Sequence, residues 1–216
     1  MIKIDIISDP ICPWCYIGKT NLDRAMNAHP EHPFEIEWHP FQLNPDMPAE
    51  GMDRRDYLET KFGGQEGAIR VYSQIDAAAQ SIGLTLDFAG IRRTPNTINA
   101  HRLIHWAGLE KVQGQVVDRL FKAYFKEGRD ISERSVLRRI GEAAGMDGNM
   151  IDRLLDTDQD VEDIRERDAH ARSRGVSGVP CFIVGGRYAV QGAQPPETWA
   201  QVIEDVLAAP TDDTLH

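Results

Sequence analysis

The stretch Ile2-Lys3-Ile4-Asp5-Ile6-Ile7-Ser8-Asp9-Pro10-Ile11-Cys12-Pro13-Trp14-Cys15 decides how the rest of the chain is read. Isoleucines alternate with Lys3 and Asp5, the period of a half-buried strand. Ser8-Asp9-Pro10 is a turn. Pro13 suits the first position of a helix, where its missing N–H costs little and its φ is already helical. Two cysteines three apart therefore open a helix directly after a strand. The first sits at the positive end of the helix dipole, which favours its thiolate. The second lies one turn further in, within reach of the first for a disulfide. In this setting the spacing reads as a redox dithiol more readily than as a metal clip.

Outward from this stretch, the helix runs from about Pro13 to Ala28 and is ended by His29-Pro30. Phe34, Ile36 and Trp38 then alternate with Glu35, Glu37 and His39, giving a second strand and a β-α-β opening. The dithiol falls at the carboxyl end of the first strand, where α/β sheets place their ligands. From Asn44 to about Asp156 the apolar spacing becomes helical, clearest in Val116, Val117, Leu120, Phe121, Tyr124 and Phe125. Weaker stripes are Ile69-Val71-Tyr72-Ile75 and Ile98-Leu103-Ile104-Ala107, and Asp130 to Glu133 has the form of a capping box before Val136, Leu137 and Ile140. A helix over about Asp158–Arg174 turns Val161, Ile164, Asp168 and Ala171 to one side. Cys181–Val184 and Arg187–Val190 flank Gly185-Gly186 as a hairpin with a two-residue turn. Pro195-Pro196 start a last helix with Trp199, Val202, Ile203, Val206 and Leu207 facing inward.

The division that follows is an α/β domain over residues 1–43 and 157–210, a helical insertion over 44–156, and a tail over 211–216. The 216 residues carry 24 basic and 34 acidic side chains, a net charge of −10, which argues against nucleic acid or an anionic membrane as a partner. No apolar run approaches the roughly 20 residues of a membrane span, and the N-terminus has no secretory pattern, so a cytoplasmic protein is expected. Three cysteines, Cys12, Cys15 and Cys181, do not make a structural disulfide framework.

This element order, with the dithiol after the first strand, resembles a thioredoxin-like fold with an inserted α-helical domain. It resembles the DsbA family, and within it the FrnE-type branch, which lies near the kappa-class glutathione transferases and the hydroxychromene-carboxylate isomerases. The residues that carry the likeness are Ser8 to Lys19, Pro95-Asn96-Thr97 with Ala100-His101-Arg102-Leu103, and Gly175-Val176-Ser177-Gly178-Val179-Pro180. The resemblance implies thiol–disulfide exchange with protein thiols or glutathione. It implies glutathione chemistry instead where the first cysteine is a serine; here Cys12 is kept. It also implies that Pro180 is a cis proline facing the dithiol, with the Val179 backbone open to an extended substrate strand.

Cys12 is accordingly the expected nucleophile and Cys15 the resolving thiol. Pro13 and Trp14 between them shape the docking surface. Asp5, on the strand face opposite Ile4 and Ile6, would accept the proton of Cys15 if it lay under the helix; a surface position is the other reading. Cys181 reads as a small buried hydrophobe. His101 and His105, at i, i+4, have a metal-compatible spacing, but packing or lining a cleft suits them better, and no metal is expected. Tyr16 and Lys19 edge the site, Lys19 adding positive potential. The dithiol is itself the redox group, so no cofactor is needed beyond glutathione as a co-substrate. The alternative is a glutathione-dependent transferase or isomerase acting on a small aromatic compound.

Overall fold

The computed structural model describes residues 1–208. The chain forms β1 (Ile2–Ser8), α1 (Pro13–Ala28) and β2 (Phe34–Pro40), then β3 (Met52–Asp53), α2 (Arg54–Phe62), α3 (Gln65–Ser81) and β4 (Arg93–Thr94). It continues with α4 (Ile98–Leu109), α5 (Gln113–Phe125), α6 (Arg134–Ala143), α7 (Gly148–Leu155) and α8 (Val161–Ser173). It closes with β5 (Cys181–Val184), β6 (Tyr188–Gln191) and α9 (Pro196–Ala208). This is a thioredoxin-like α/β fold. The main sheet has the order β2-β1-β5-β6; β1 runs parallel to β2 and antiparallel to β5, and β5 and β6 are an antiparallel hairpin.

Alternation along β1 sorts its two faces. Ile4 and Ile6 are buried in one core with Cys15, Ile17 and Leu22 of α1 and with Phe182, Trp199 and Ile203. Ile7 belongs to a second, small cluster on the other face with Phe41, Val176 and Cys181. Gly18 lets α1 lie close on β5, because a Cβ there would come within 3.1 Å of Pro180 and 3.2 Å of Phe182.

The larger core does not stop at the insertion. Tyr16 of α1 stacks on Phe121 of α5, with ring centroids 4.9 Å apart. The Lys19 ammonium, 9 % exposed, lies 2.5 Å from Asp23 and 2.7 Å from Asp118 of α5. Gln113 reaches the outer edge of β2, where its Oε1 accepts from the Trp38 N–H at 2.8 Å and its Nε2 donates to the Trp38 carbonyl at 3.1 Å. Arg102 of α4 donates to the carbonyls of Leu154, Thr157 and Gln159, tying α4 to the end of α7 and the segment after it.

Several local expectations are corrected. The insertion is not wholly helical, since Met52 and Asp53 pair with Thr94 and Arg93. Asp130 and Glu133 do not form a capping box; Asp130 accepts from the backbone and hydroxyl of Ser132, and Glu133 caps α6 without a side-chain bond. The β5–β6 turn has three residues, Gly185, Gly186 and Arg187, because Val184 pairs with Tyr188. Both glycines have positive φ, 59° and 68°, which they adopt without a Cβ penalty. The last helix buries Trp199 and Ile203, but Leu207 is 47 % exposed. The tail over 211–216 lies outside the described residues.

Candidate active site

The turn Ser8–Ile11 sets the start of α1. Cys12 is its N-cap, donating its N–H to the Asp9 carbonyl at 2.9 Å and accepting from the Cys15 N–H at 3.1 Å. Pro13 occupies the first helical turn as its geometry requires. Cys12 and Cys15 are 4 % and 1 % exposed. The Cys12 Sγ lies 3.6 Å from the Val179 carbonyl oxygen, to which its S–H is positioned to donate. The Val179–Pro180 peptide is cis. Trp14, 37 % exposed, is the open aromatic beside the dithiol. The structure thus brings Cys12, Pro13, Trp14, Cys15, Val179 and Pro180 together.

Burial, then the adjacent Cys12, pushes the Cys15 thiol well above the usual cysteine range. The Ser8 hydroxyl and the Asp9 N–H beside it oppose this shift by favouring the thiolate. Ser8 lies on the same face of β1 as Ile4 and Ile6, so its hydroxyl points at α1. The Asp9 carboxyl is fully buried. Its Oδ2 accepts from the Leu43 N–H at 2.7 Å and its Oδ1 from Ile11 at 3.3 Å. Burial raises its pKa to about 7, against these two donors and the pull of Lys61. His101 approaches the same Oδ1 at 3.9 Å while its Nε2 lies 3.2 Å from the Phe41 carbonyl. Burial lowers the His101 pKa to about 4. Lys61, exposed on α2, is held by the Tyr57 hydroxyl at 2.5 Å and by Asn44 Oδ1 at 3.3 Å.

Asp5 is not part of this group. It shares the face of Ile7, away from α1, where it lies 2.7 Å from His39 Nε2 and 3.0 Å from the Lys3 ammonium. A proton acceptor for Cys15 on this residue is therefore ruled out by the strand alternation. Asp5, Glu37 and His39 are grouped closely enough to hold a cation, but Lys3 already lies 2.6 Å from Glu37 and bridges both carboxylates. Lys19 does not add free positive potential to the site, since two carboxylates neutralise it. His105 bonds Arg167 and sits apart from His101's contacts. Cys181 is fully buried on the face opposite α1. Ser8 and Asp9 were legible only as turn residues: their burial comes from Phe41–Leu43 and α4 closing over them.

The family description "DSBA-like thioredoxin domain" matches residues 3–204. The chain is 27 % identical over 207 residues to the uncharacterized protein YwbO of Bacillus subtilis (strain 168), covering 94 % of this chain and 96 % of that one. The crystal structure of a probable DsbA oxidoreductase, SCO1869, from Streptomyces coelicolor is similar with a TM-score of 0.87 and 26 % identity, over 100 % of this chain and 94 % of that one. Two more distant structures share the fold. The cytosolic disulfide reductase DsbM from Pseudomonas aeruginosa, with GSH, has a TM-score of 0.67 and 20 % identity over 96 % of this chain and 100 % of that one. A 2-hydroxychromene-2-carboxylate isomerase has a TM-score of 0.72 and 17 % identity over 95 % and 96 %. With the match running through both the dithiol and the Val179–Pro180 loop, this chain belongs to the DSBA-like thioredoxin domain family.

Proposed function

We propose that this DsbA-type protein is a thiol–disulfide oxidoreductase of the FrnE kind, cycling its Cys12–Cys15 dithiol against protein thiols or glutathione. The observation that carries the reading is the placement of Cys12 at the start of α1, with Cys15 one turn behind it and the Val179 carbonyl 3.6 Å away. In the reducing direction the Cys12 thiolate attacks a substrate disulfide. A Cys12–substrate bond forms, the substrate S–S bond breaks, and one substrate thiolate leaves and takes a proton. Cys15 then gives up its proton and attacks Cys12 sulfur; the second substrate thiol departs and the protein is left as the Cys12–Cys15 disulfide. Two electrons pass from protein to substrate, and a reduced thiol pair such as glutathione returns them. The oxidising direction is the same sequence reversed.

In a cytoplasmic setting the glutathione poise favours reduction or isomerisation. The disulfide reductase activity and the GSH ligand of DsbM are in keeping with that direction. Cys15 separates this reading from a glutathione-dependent isomerase: exchange needs it to release the mixed disulfide, whereas activation of glutathione by Cys12 alone does not.

Equilibration in graded glutathione buffers, read by alkylation and mass spectrometry, tests the proposal. A reversible two-electron transition confined to Cys12 and Cys15 is expected. No Cys12–Cys15 disulfide at any ratio would overturn it.

A further inference from the structure

The dithiol occupies one face of the sheet. The opposite face carries a cleft of about 1090 Å3, at the upper end of the range of ligand pockets. Its floor is built from side chains that alternation turns away from α1: Ile7 of β1, Cys181 and Ile183 of β5, and Ala189 of β6. α8 forms one wall, packing Ala171 on the small cluster around Cys181. α1 and α9 lie on the other side, so among the described residues no helix covers Ala189, which is exposed.

Charge decides what such a cleft takes. Of the cations on its rim, Lys3 is bound by Asp5 and Glu37, and Arg167 by Asp163, His39 and His105. Arg174 and Arg187 have no carboxylate partner among the described residues, against one unpaired acid on the rim, Glu166. Arg174 follows the end of α8, two residues before Val176, which packs on Cys181; Arg187 sits in the β5–β6 turn. The two free guanidinium groups therefore flank opposite ends of the four-residue strand whose inward side chains form the floor. In a chain of net charge −10, a local pair of unpaired arginines beside apolar floor residues is matched by an elongated apolar body carrying an anionic end.

We propose that this cleft is a second ligand site, separate from the dithiol, that binds small amphiphilic anions: a carboxylate or sulfonate held by Arg174 or Arg187, with its hydrocarbon part over Ile183 and Ala189. The site does not depend on the redox reading, since none of these residues touches Cys12 or Cys15.

The test uses the reduced full-length protein and 1-anilinonaphthalene-8-sulfonate, titrated by fluorescence, with decanoate as competitor. Saturable binding displaced by decanoate is expected. Arg174→Ala with Arg187→Ala together should weaken it by at least about fivefold, the upper end of what an exposed ion pair contributes. Ala189→Trp, which fills the floor, should abolish it, while far-ultraviolet circular dichroism and the Cys12–Cys15 redox midpoint stay unchanged. Equal affinity in wild type and all variants would show dye binding elsewhere and overturn the site. So would an absence of binding in a protein that sediments as a dimer and that Ala189→Trp converts to monomer, because a second copy then owns the face.

Discussion

The Cys12 sulfur lies 3.6 Å from the carbonyl of Val179, 167 residues further along the chain. The surroundings of Cys12 are thus completed by a loop from the far end of the sequence, and both halves of the sheet must be in place before this arrangement exists. Behind it, Cys15 has Ser8 and Asp9 beside it, so the two sulfurs have different neighbours, and the proposed exchange gives them different roles.

That division predicts a trap. Cys15→Ser protein mixed with a protein disulfide or oxidised glutathione should accumulate a mixed disulfide through Cys12, visible by mass spectrometry and removed by reductant. Cys12→Ser should give none. A stable adduct on Cys181 instead would mean the wrong sulfur has been assigned.

Ser8→Ala removes a neighbouring hydroxyl that favours the Cys15 thiolate. A hydrogen bond to a charged partner contributes about 1.5–3 kcal/mol, so the resolving step should slow by about tenfold or more near neutral pH. Attack by Cys12 on the first disulfide should be unaffected. Stopped-flow separation of the two phases checks this; equal slowing of both would remove Ser8 from the resolving step.

Asp9 and His101 predict a pH signature in stability. The Asp9 pKa is raised from 3.8 to about 7, so the fold holds a proton the unfolded chain has released. Its contribution is complete below pH ~4 and is lost as pH rises towards ~7, at about 1.4 kcal/mol per unit. The His101 pKa is lowered from 6.5 to about 4, so its contribution is complete above 6.5 and is lost as pH falls towards 4. In the wild type the two slopes oppose one another across that window. Asp9→Asn should expose the histidine slope, so its stability relative to wild type rises with pH between about 4 and 7. His101→Gln should do the reverse between about 4 and 6.5. Urea midpoints measured across pH decide it; differences that do not vary with pH would show that neither group titrates as described.

Lys19→Met breaks a nearly buried ammonium away from Asp23 and Asp118 and leaves two half-exposed carboxylates facing one another. A loss of about 1–2 kcal/mol is expected, since both partners are partly solvated. Because Lys19 is already neutralised, Cys12 alkylation rates should not move. A changed rate would restore the positive-potential role that the sequence suggested.

The opening strand, the dithiol helix and the β5–β6 hairpin were legible because each rests on local signals: alternation from Ile2 to Ile7, Pro13 at a helix start, and paired glycines in a turn. The helical stripe from Val116 to Phe125 was readable for the same reason. Asp5 shows where such signals stop. Alternation fixes that it opposes Ile4 and Ile6, but the side taken by α1 depends on how the distant β5, α8 and α9 close the sheet. Asp9 was invisible as a buried acid because its cover, Leu43 and His101, comes from segments 34 and 92 residues away. The boundary at residue 44 marks a change of pattern but not of core, since Tyr16 and Phe121 stack across it.

Gln113 has a consequence for how copies of this chain meet one another in a crowded solution. β2 is an outer strand, and the Trp38 N–H and carbonyl would otherwise be offered to any extended segment drifting past. The carboxamide of Gln113 occupies both groups at once, imitating the neighbouring strand that is missing. The insertion thereby blunts one exposed rim of the sheet against edge-to-edge stacking, whatever else it does for the dithiol.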